Sequence, residues 1–566
     1  SGVLEGSQSL TQTLPLDTNA LPESTRLTVR ITPSVSGALF NATDYLIGFP
    51  YGCTEQTMSR FLPDLLVQRA MRLNSLHDVK HAEELPKMVR NGLQRLYRFQ
   101  HADTGGWGWW EHDKDDPWMT AYVLYGLSVA QAEGYPVSAN ALQKGRKAAL
   151  KFLQEPDRVE SSLPSTDSTG TIANNDRPFL LYALALTGDA DDARAGCSKL
   201  KISGLSSQAL GYLILLDHLL GEPSDEALTE LGKRAVTADG TLHWKTGRWA
   251  SWDWDDQTTN ATVLRALLAL NRQDPRIPEV LRWLMLQRTG DYWTSTRDTS
   301  WVLAAFCDFL TGQHEENSGG EVHITLNGKD WPVATLTPDI TKEREILYKI
   351  PAANVRPGAN TLVFQRTGGS NLVFVSVELR QTVGQEDIPA LTRTVADLGL
   401  SPQHGLSPGP ELHQPNKEDP NAKLEIKREY LRVLPRKVGS DAWSLQTEPT
   451  NNQLQEGDRV RVRLTLNVPR EMAYVLIEDP FPSGCEVTER GAAEEVVEWG
   501  YWWDSVDIRD DKIAFFVRRL SAGQHVIEYN LRAMTHGSYH VLPTLLQGMY
   551  APETRAESAE SRVTVR

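Results

Sequence analysis

The sequence predicts a multidomain α and β chain: a block of helices inserted in a β-domain, followed by an all-β sandwich. A single alternating strand at 25–32 precedes a long block with helical spacing, and strands resume after Gly320. A run rich in Pro, Gly, His and Ser at 395–422 then separates a last stretch of alternating strands. A strand without a neighbouring strand in sequence must pair with a distant one, so the helical block interrupts a β-domain.

The helical block extends from about Asp44 to Gly312. Apolar residues recur there with a period of about 3.6 residues, which is typical of helices that bury one face. The predicted helices are 54–73, 84–100, 117–133, 142–154, 177–186, 206–220, 225–236, 257–270, 279–287 and 297–310. Those that start at Pro117, Gln257 and Arg297 share a small polar start, then Ala, then a Leu-rich face. Repeated helical hairpins of this length predict a closed ring or a solenoid.

The outer parts of the chain have other patterns. Residues 1–24 are polar, and we expect them to be poorly ordered up to the strand at 25–32. From Leu424 to Arg566 apolar and polar residues alternate, as in 459–466, which predicts a sandwich of about 140 residues.

Charge and composition argue against several classes of partner. Lys plus Arg is 58 and Asp plus Glu is 73, a formal charge of −15, which disfavours nucleic acid and anionic lipid. No run of about 18 apolar residues occurs, so no membrane contact is predicted for this part of the protein. The chain starts at Ser1 without a signal peptide, and we interpret it as a piece of a longer protein.

The four cysteines are far apart, and none forms a CxxC pair. The spacing disfavours a disulfide framework and a structural zinc site, and we predict no metal and no cofactor. Cys197, Cys307 and Cys485 are expected to be unreactive core or loop thiols.

One short run suggests chemistry. Tyr51-Gly-Cys-Thr-Glu-Gln56 opens the first predicted helix, and Cys53 and Gln56, three residues apart, share a face of its first turn. A thiolate that attacks the Gln56 carboxamide would expel ammonia and close an internal thioester. Free amides and the dipole at a helix N-terminus favour that step. Tyr51 and Trp107 are candidates to shield the bond from water, although packing within the ring is the alternative for Trp107.

A lone cysteine at a helix start is usually a small buried hydrophobe, so the whole run decides its interpretation. Gly52-Cys-Thr-Glu-Gln56 resembles the Gly-Cys-x-Glu-Gln thioester signature of alpha-2-macroglobulins and thioester complement proteins. The longer run 49–59 resembles the bacterial branch, and 529–533 and 548–553 resemble the last macroglobulin-like domain of bacterial members. In this family an α/α-toroid thioester domain interrupts a CUB-like β-domain, which matches the split arrangement predicted above.

The resemblance implies a set of domain boundaries. The CUB-like domain would occupy 1–38 and 316–394, the thioester domain 39–315, the linker 395–422 and the macroglobulin-like sandwich 423–566.

The resemblance also implies an endopeptidase inhibitor and not an enzyme. In the family, a protease cuts a bait region, the molecule rearranges, and an amine of the protease is acylated and trapped. Cys53 would be the thiol and Gln56 the acyl donor, with Glu55 beside the bond, and Met549 and Tyr550 would shield it. The expected location is the bacterial cell envelope, periplasmic or secreted, and a peptidoglycan synthase is left open as a partner.

Two features depart from the family pattern. Some complement relatives use a later histidine to relay the acyl group to hydroxyls, but His218 is the only histidine between His112 and His243. The loop 162–175 offers Ser, Thr, Asp and Asn instead, so we expect direct transfer that favours amines. The chain also contains no bait region, so this part alone should not sense proteases.

Two alternatives remain open at this stage. Gln100-His-Ala-Asp-Thr-Gly-Gly-Trp107 resembles the Gln-Trp repeat of α/α-barrel terpenoid cyclases, and Asp253-Trp-Asp-Asp256 matches their Asp-x-Asp-Asp acid motif. Such an acid needs a raised pKa in an apolar cavity, whereas the aspartates could simply cap the helix near Gln257. The second alternative is a binding or structural member of the family in which no thioester forms.

Overall fold

The computed structural model describes most of the chain and divides it into two compact units. The described residues are 2–5, 7–16, 25–39, 42, 52–74, 83–154, 175–246, 256–290, 292–311, 319–337, 345–369, 372–381, 393–394, 423–438, 442–488, 503–552 and 554–566. The first unit holds the described residues up to 381 and the second those from 393 onward. The linker predicted at 395–422 lies outside the described residues.

The first unit begins with three strands, β1 Gly2–Leu4, β2 Ser9–Leu16 and β3 Arg26–Thr32. The expectation that residues 1–24 are poorly ordered was therefore wrong for β1 and β2. Both strands are supported by distant partners: Leu4 pairs with Val373, and Leu10 pairs with Phe364. Leu10, Leu14 and Leu16 recur at alternate positions of β2, so part of its strand pattern is present in the sequence.

The inserted helices form a double ring. They are α1 Thr54–Asn74, α2 Leu85–Phe99, α3 Pro117–Ala132, α4 Ala139–Gln154, α5 Arg177–Leu186, α6 Ala190–Cys197, α7 Ser207–Leu220, α8 Asp225–Lys233, α9 Asp256–Leu270, α10 Ile277–Leu286 and α11 Thr296–Leu310. The odd-numbered helices contact one another in order, and α11 closes on α1. Each even-numbered helix packs outside the inner helix that precedes it. The closed inner ring confirms the toroid and excludes the solenoid.

Three tryptophans join outer helices to inner ones in the same way. Each indole Nε1 donates a hydrogen bond of 2.7 Å to a carbonyl near the end of an outer helix. The backbone N–H of the same tryptophan donates to a polar side chain on the next inner helix. The three sets are Trp107 with Leu96 and Thr120, Trp244 with Leu231 and Asn260, and Trp293 with Leu284 and Thr299. These two hydrogen bonds recur at three tryptophans, and they explain why several inner helices have a polar residue in their first turn.

Two details of the ring differ from the sequence prediction. Helix α6 was not predicted, because its eight residues are mostly small or charged and only Ala193 is buried. The helix predicted at 225–236 ends at Lys233, and a hairpin follows, with β4 Ala235–Ala238 and β5 Thr241–Trp244. Asp239 and Gly240 make its turn with φ of 49° and 70°, the conformation that an Asp-Gly hairpin turn requires.

The β-domain resumes after the ring with β6 Gly320–Leu326, β7 Lys329–Leu336, β8 Ile346–Ile350, β9 Gly358–Thr367 and β10 Val373–Arg380. One sheet has the strand order β1-β10-β3-β8 and the other β2-β9-β6-β7. Each sheet combines strands from both sides of the insertion, which confirms that the helical block interrupts a β-domain. Both sheets contribute to one core, which includes Val29, Ile31 and Phe364.

The second unit is built from strands. These are β11 Arg393–Thr394, β12 Lys423–Val438, β13 Ala442–Pro449, β14 Gln453–Leu454, β15 Arg459–Val468, β16 Met472–Pro480, β17 Cys485–Val487, β18 Ser505–Ile508, β19 Lys512–Leu520, β20 Gly523–Ala533, β21 Gly537–Val541, β22 Leu545–Gly548, β23 Arg555–Glu557 and β24 Ser561–Val565. One sheet is centred on β12, β15 and β20, and a second on β19, β16 and β22. Their apolar residues share one core, as expected of the predicted sandwich.

Candidate functional site

The site predicted from the sequence lies at the start of α1, on the inner ring. The Thr54 N–H donates a 2.9 Å hydrogen bond to the carbonyl oxygen of Trp109, in the loop before α3. The Thr57 N–H and hydroxyl donate to the Cys53 carbonyl oxygen at 2.9 Å and 2.8 Å. The first N–H groups of a helix lack acceptors within the helix, and the Trp109 carbonyl satisfies one of them. The start of α1 is therefore held by the loop that contains Trp109.

The structure brings Cys53 and Gln56 together on this first turn. The Cys53 N–H donates to Gln56 Oε1 at 3.2 Å, and the Gln56 N–H points at Cys53 Sγ at 3.5 Å. Cys53 is completely buried, and only 2% of Gln56 is exposed. The carboxamide oxygen and the thiol sulfur thus each lie against the backbone N–H of the other residue, on a buried turn. The joining of the two side chains in a thioester stays a prediction at this point.

The environment of Cys53 disfavours the thiolate. Burial raises the pKa of the Cys53 thiol well above its ordinary value, and the charge of Glu55 raises it further. Hydrogen bonds from the Gln56 and Glu55 backbones and the charge of Arg95 lower it by less. Sulfur is therefore a poor leaving group at this position as long as the site remains buried.

Glu55 lies at one end of a series of buried hydroxyl groups. The Ser59 hydroxyl donates to Glu55 Oε1 at 2.5 Å and lies 3.4 Å from the Tyr122 hydroxyl. Tyr122 lies in turn 3.4 Å from the Ser300 hydroxyl. Burial, and then the charge of Glu55, raises the pKa of Tyr122. Sequence reasoning missed all three hydroxyl residues, although Ser59, four residues after Glu55 on one helix, could have been found from its spacing.

Arg95 was also missed, and it explains the glycine of the motif. Its Nη2 donates to the Gly52 carbonyl oxygen at 2.5 Å. A Cβ atom on Gly52 would lie 2.4 Å from that same nitrogen. Any larger residue at 52 must therefore displace the Arg95 guanidinium from the start of the helix.

The predicted shielding residues lie in different places. The Trp107 indole Nε1 donates a hydrogen bond to the Leu96 carbonyl oxygen. Its ring also packs closely on Gly145, where a Cβ atom would lie 2.6 Å from a ring carbon. These are packing contacts, and a shielding role for Trp107 stays a prediction. Tyr51 lies outside the described residues.

Met549 and Tyr550 belong to the second unit. The Met549 N–H donates to the Tyr474 carbonyl oxygen at 2.8 Å, and the Tyr550 ring meets the Tyr474 ring edge-on at 5.7 Å. A shielding role for these two residues also stays a prediction.

Among the described residues, the other three cysteines have no glutamine three positions later. Cys307 and Cys485 are buried and Cys197 is half-buried. Burial raises the pKa of each thiol, to about 11 for Cys197 and Cys485. These environments agree with the expectation of unreactive thiols.

The centre of the ring bears on the cyclase alternative. Aromatic rings from inner helices meet there, with centroids 4.5 to 5.9 Å apart, and they are Tyr122, Tyr125, Phe179, Tyr212 and Trp301. These packed side chains occupy the position where a cyclase needs an apolar cavity. Asp256 accepts hydrogen bonds from the Thr246 N–H at 2.8 Å and hydroxyl at 2.9 Å. Asp256 thus holds Thr246, two residues after β5, and Asp253 lies outside the described residues.

None of the helices in the described part of the chain is both long and apolar enough to cross a membrane.

Comparison with known proteins gives matches over both units. Residues 29–168 match the A-macroglobulin TED domain, and residues 424–553 match the bacterial alpha-2-macroglobulin MG10 domain. Alpha-2-macroglobulin of Escherichia coli is 25% identical over 546 residues, which cover 91% of this chain and 28% of that protein. Alpha-2-macroglobulin of Thermotoga maritima is 28% identical over 282 residues, which cover 50% of this chain and 15% of that protein. The chain thus spans less than a third of the length of these relatives.

Solved structures show the same fold. The native Escherichia coli alpha-2-macroglobulin fragment from domain MG7 to the C-terminus aligns with a TM-score of 0.67 and 19% identity, covering 100% of this chain and 82% of that one. Salmonella alpha-2-macroglobulin reacted with methylamine aligns with a TM-score of 0.66 and 19% identity, covering 99% of this chain and 33% of that one. Because both matched domains occur along one chain with this architecture, the protein belongs to the bacterial alpha-2-macroglobulin family.

Proposed function

We propose that Cys53 and Gln56 form an internal thioester, and that the protein which carries this chain inhibits attacking proteases by capturing them covalently. The observation that carries the proposal is the pairing of a thiol and a carboxamide on one buried helical turn. Gln56 Oε1 lies 3.2 Å from the Cys53 N–H, and both side chains are closed to solvent. The buried turn supplies both the reacting groups and the exclusion of water that a stored acyl group needs.

Formation of the bond requires only these two side chains. Cys53 Sγ attacks the carboxamide carbon of Gln56, the C–S bond forms, and the C–N bond breaks. The thiol proton leaves with the amide nitrogen as ammonia. Backbone N–H groups at the start of α1 favour the negative charge that develops on sulfur and oxygen during this step.

In the capture of a protease, the sulfur is the leaving group and no longer the nucleophile. A lysine amine of the protease attacks the same acyl carbon, a C–N bond forms, and the C–S bond breaks. The sulfur leaves as a thiolate and takes up the proton that the amine loses. The product is a stable amide between Gln56 and the protease, so each molecule acts once and the reaction has no turnover.

Other parts of the proposal come from the relatives. Attacking proteases are proposed as partners, and the bacterial envelope, periplasmic or secreted, as location. Met549 and Tyr550 are proposed to shield the bond in the whole protein, and the split β-domain is proposed to be CUB-like with the boundaries predicted from the sequence. A peptidoglycan synthase partner has no support in the geometry of this chain.

The test is the intact mass of freshly purified protein before and after methylamine, a probe with which a Salmonella relative has been reacted. A mass one ammonia below the sequence value, which gains one methylamine together with one free thiol, is expected. A mass equal to the sequence value and unchanged by methylamine contradicts the thioester. The remaining function would then be binding or structural, as in the second alternative above.

A further inference from the structure

Loop 100–116, between α2 and α3, holds the start of the reactive helix and contains a histidine that the proposed function does not use. The loop carries Trp109, whose carbonyl oxygen accepts the 2.9 Å hydrogen bond from the Thr54 N–H. One carboxylate fixes this part of the loop, because Asp113 accepts from the Trp109 N–H at 2.9 Å and from the Trp110 N–H at 3.1 Å. Asp113 therefore helps to place the carbonyl that anchors α1.

The glycines of loop 100–116 make room for its carboxylates. A Cβ atom on Gly108 would collide with Asp113 Oδ1, and one on Gly106 would lie 2.6 Å from the carboxyl carbon of Asp115. The repeated glycines in Gly105-Gly-Trp-Gly-Trp-Trp110 thus let the backbone close around these two carboxylates.

His101 lies between the same two carboxylates. Its Nδ1 is 2.6 Å from Asp115 Oδ1, and its Nε2 is 3.4 Å from the Trp110 carbonyl oxygen and 3.7 Å from Asp113 Oδ1. All three oxygens are acceptors, whereas a neutral imidazole has only one N–H donor. Since only 9% of the side chain is exposed, the ring fits this place as an imidazolium cation.

His101 also lines one side of a cleft of about 850 Å³. The carboxylates that line it are Asp103, Glu111, Asp113 and Asp115 of the loop. The bases that line it are His112 and Lys114 of the loop, with Lys147 and Lys151 from α4. From α2, Arg98 lies 3.9 Å from Glu111. The hydrogen bond to Asp115 raises the pKa of His101, burial lowers it by less, and the charges of Asp115 and Asp113 add to the rise.

The raised pKa sets the direction of a pH dependence. Below the ordinary histidine pKa of 6.5, the pairing of His101 with both carboxylates is complete, and the loop gains its full stabilisation. That stabilisation is lost as the pH rises through the raised pKa. The Nε2 lone pair then faces the Trp110 carbonyl oxygen and Asp113, so an attraction becomes a repulsion. The contacts that fix Trp109 are therefore strongest in acid.

We propose that His101 and Asp113 are positioning residues for the thioester. The protonated imidazole holds Asp113, which in turn fixes the Trp109 carbonyl that anchors the reactive turn at Thr54. Loss of the His101 proton loosens these contacts, so the first turn of α1 opens and the acyl carbon of Gln56 becomes more accessible to amines and water. The inference rests on the proposed thioester and adds its control by pH, and the covalent step itself is unchanged.

The first test is hydrogen exchange on the whole chain from about pH 6 to about pH 9, at the amides of Thr54, Trp109 and Trp110. Each rate is divided by the intrinsic exchange rate at the same pH. Protection should fall at least about threefold as His101 loses its proton, because hydrogen bonds to charged groups are the stronger ones. The Trp293 amide, which donates to a threonine hydroxyl in a loop without histidine, should keep its protection.

Variants of two histidines locate the effect. Methylamine incorporation in His101→Gln should be at least about threefold faster than in the unaltered protein near pH 6, and the two rates should converge as the pH rises. Their ratio cancels the effect of pH on methylamine itself. His112→Gln is the matched control, because His112 is exposed in the same loop and lines the same cleft, and its ratio should stay at one. A ratio for His101→Gln that does not change with pH overturns the proposal.

A third variant tests positioning apart from support of the loop. Asp115→Asn removes the largest cause of the raised pKa of His101, so the midpoint of the exchange profile should move to lower pH. Asp103→Asn, at an exposed position in the same cleft, should leave the midpoint in place. A group with a purely structural role would not move this midpoint. An unmoved midpoint in Asp115→Asn therefore overturns the assignment of the pH dependence to His101.

Hydrogen exchange separates this inference from the thioester proposal, because it requires no thioester. If methylamine is incorporated but neither its rate nor the exchange depends on His101, the positioning role fails and the thioester stands. If methylamine is not incorporated at all, the proposed thioester fails, and the exchange profile still decides whether His101 anchors the start of α1.

Discussion

Glu55 and Asp479 are both fully buried carboxylates, one in the toroid and one in the sandwich, and they are held in different ways. Asp479 accepts hydrogen bonds from Arg428 at 2.9 Å, from Tyr529 at 2.5 Å and from Thr544 at 2.7 Å. Glu55 accepts from the Ser59 hydroxyl and lies beside the Cys53 thiol, whose pKa its charge raises.

The different partners of Asp479 and Glu55 indicate different roles for the two carboxylates. The guanidinium of Arg428, on β12, neutralises Asp479, on β16, and so ties the two sheets of the sandwich together. The charge of Glu55 instead acts on groups that could react or move protons, Cys53 and Tyr122. A buried carboxylate with a matched cation joins the elements that carry the pair, whereas the charge of one beside a thiol raises the pKa of that thiol.

The largest expected effect tests whether reactivity is confined to the first turn of α1. Cys53→Ala should abolish methylamine incorporation completely, because the acyl group can no longer be activated. Cys307→Ala is the control, since Cys307 is also buried, with a raised pKa, but has Leu310 and not a carboxamide three residues later. Intact mass measures both variants, and incorporation that survives in Cys53→Ala would place the reactive group elsewhere.

The next effect tests the structural role of the buried acid in the sandwich. Asp479→Asn should destabilise the second unit by about 3–5 kcal/mol, because it leaves the buried Arg428 charge without its counter-ion. Hydrogen exchange at the amides of β12, β16 and β20 measures the loss, and methylamine incorporation should persist.

Asp507→Asn is the control for that variant. Asp507 pairs with Arg509 at 2.8 Å, but 41% of the Asp507 side chain is exposed, so the expected loss is below about 1 kcal/mol. Equal losses of stability in Asp479→Asn and Asp507→Asn would mean that the buried ion pair contributes no more to stability than the exposed one.

A smaller effect tests the chemical role of the acid in the toroid. Glu55→Gln removes a negative charge that raises the pKa of Cys53. The sulfur then becomes a better leaving group, and methylamine should react about threefold faster or more. Glu84→Gln, an exposed position at the start of α2, should leave the rate unchanged. A slower reaction in Glu55→Gln would instead assign Glu55 as a proton acceptor for the incoming amine.

The smallest expected effect tests whether a residue of the sandwich influences the reactivity of the toroid. If Tyr550 shields the thioester, Tyr550→Ala should raise the rate of methylamine incorporation by about threefold, which is less than 1 kcal/mol in the barrier. Tyr539→Ala is the control, because Tyr539 belongs to β21 of the same sandwich. An unchanged rate in Tyr550→Ala would confine shielding to the first unit.

The sequence by itself determined the elements whose patterns are local. The helix predicted at 177–186 is α5, and the helix predicted at 54–73 differs from α1 by one residue, because periodic apolar faces show directly which residues must be buried. The spacing of Cys53 and Gln56 likewise followed from helical geometry. Local patterns failed for α6, whose residues are mostly small or charged, and for β1 and β2, whose short apolar patterns are supported by pairing with distant strands.

The tertiary structure alone decided which distant residues meet. The site draws Tyr122 from α3, Arg95 from α2 and Ser300 from α11. Helices α2 and α3 pack on α1 as its neighbours along the chain, whereas α11 reaches α1 because the ring closes. The tertiary structure also decided what a side chain at position 52 would meet, namely the Arg95 guanidinium, which would have to move. Each of these contacts depends on how whole helices pack on α1, and the contact with Ser300 depends also on the closure of the inner ring, so no local pattern of residues encodes them.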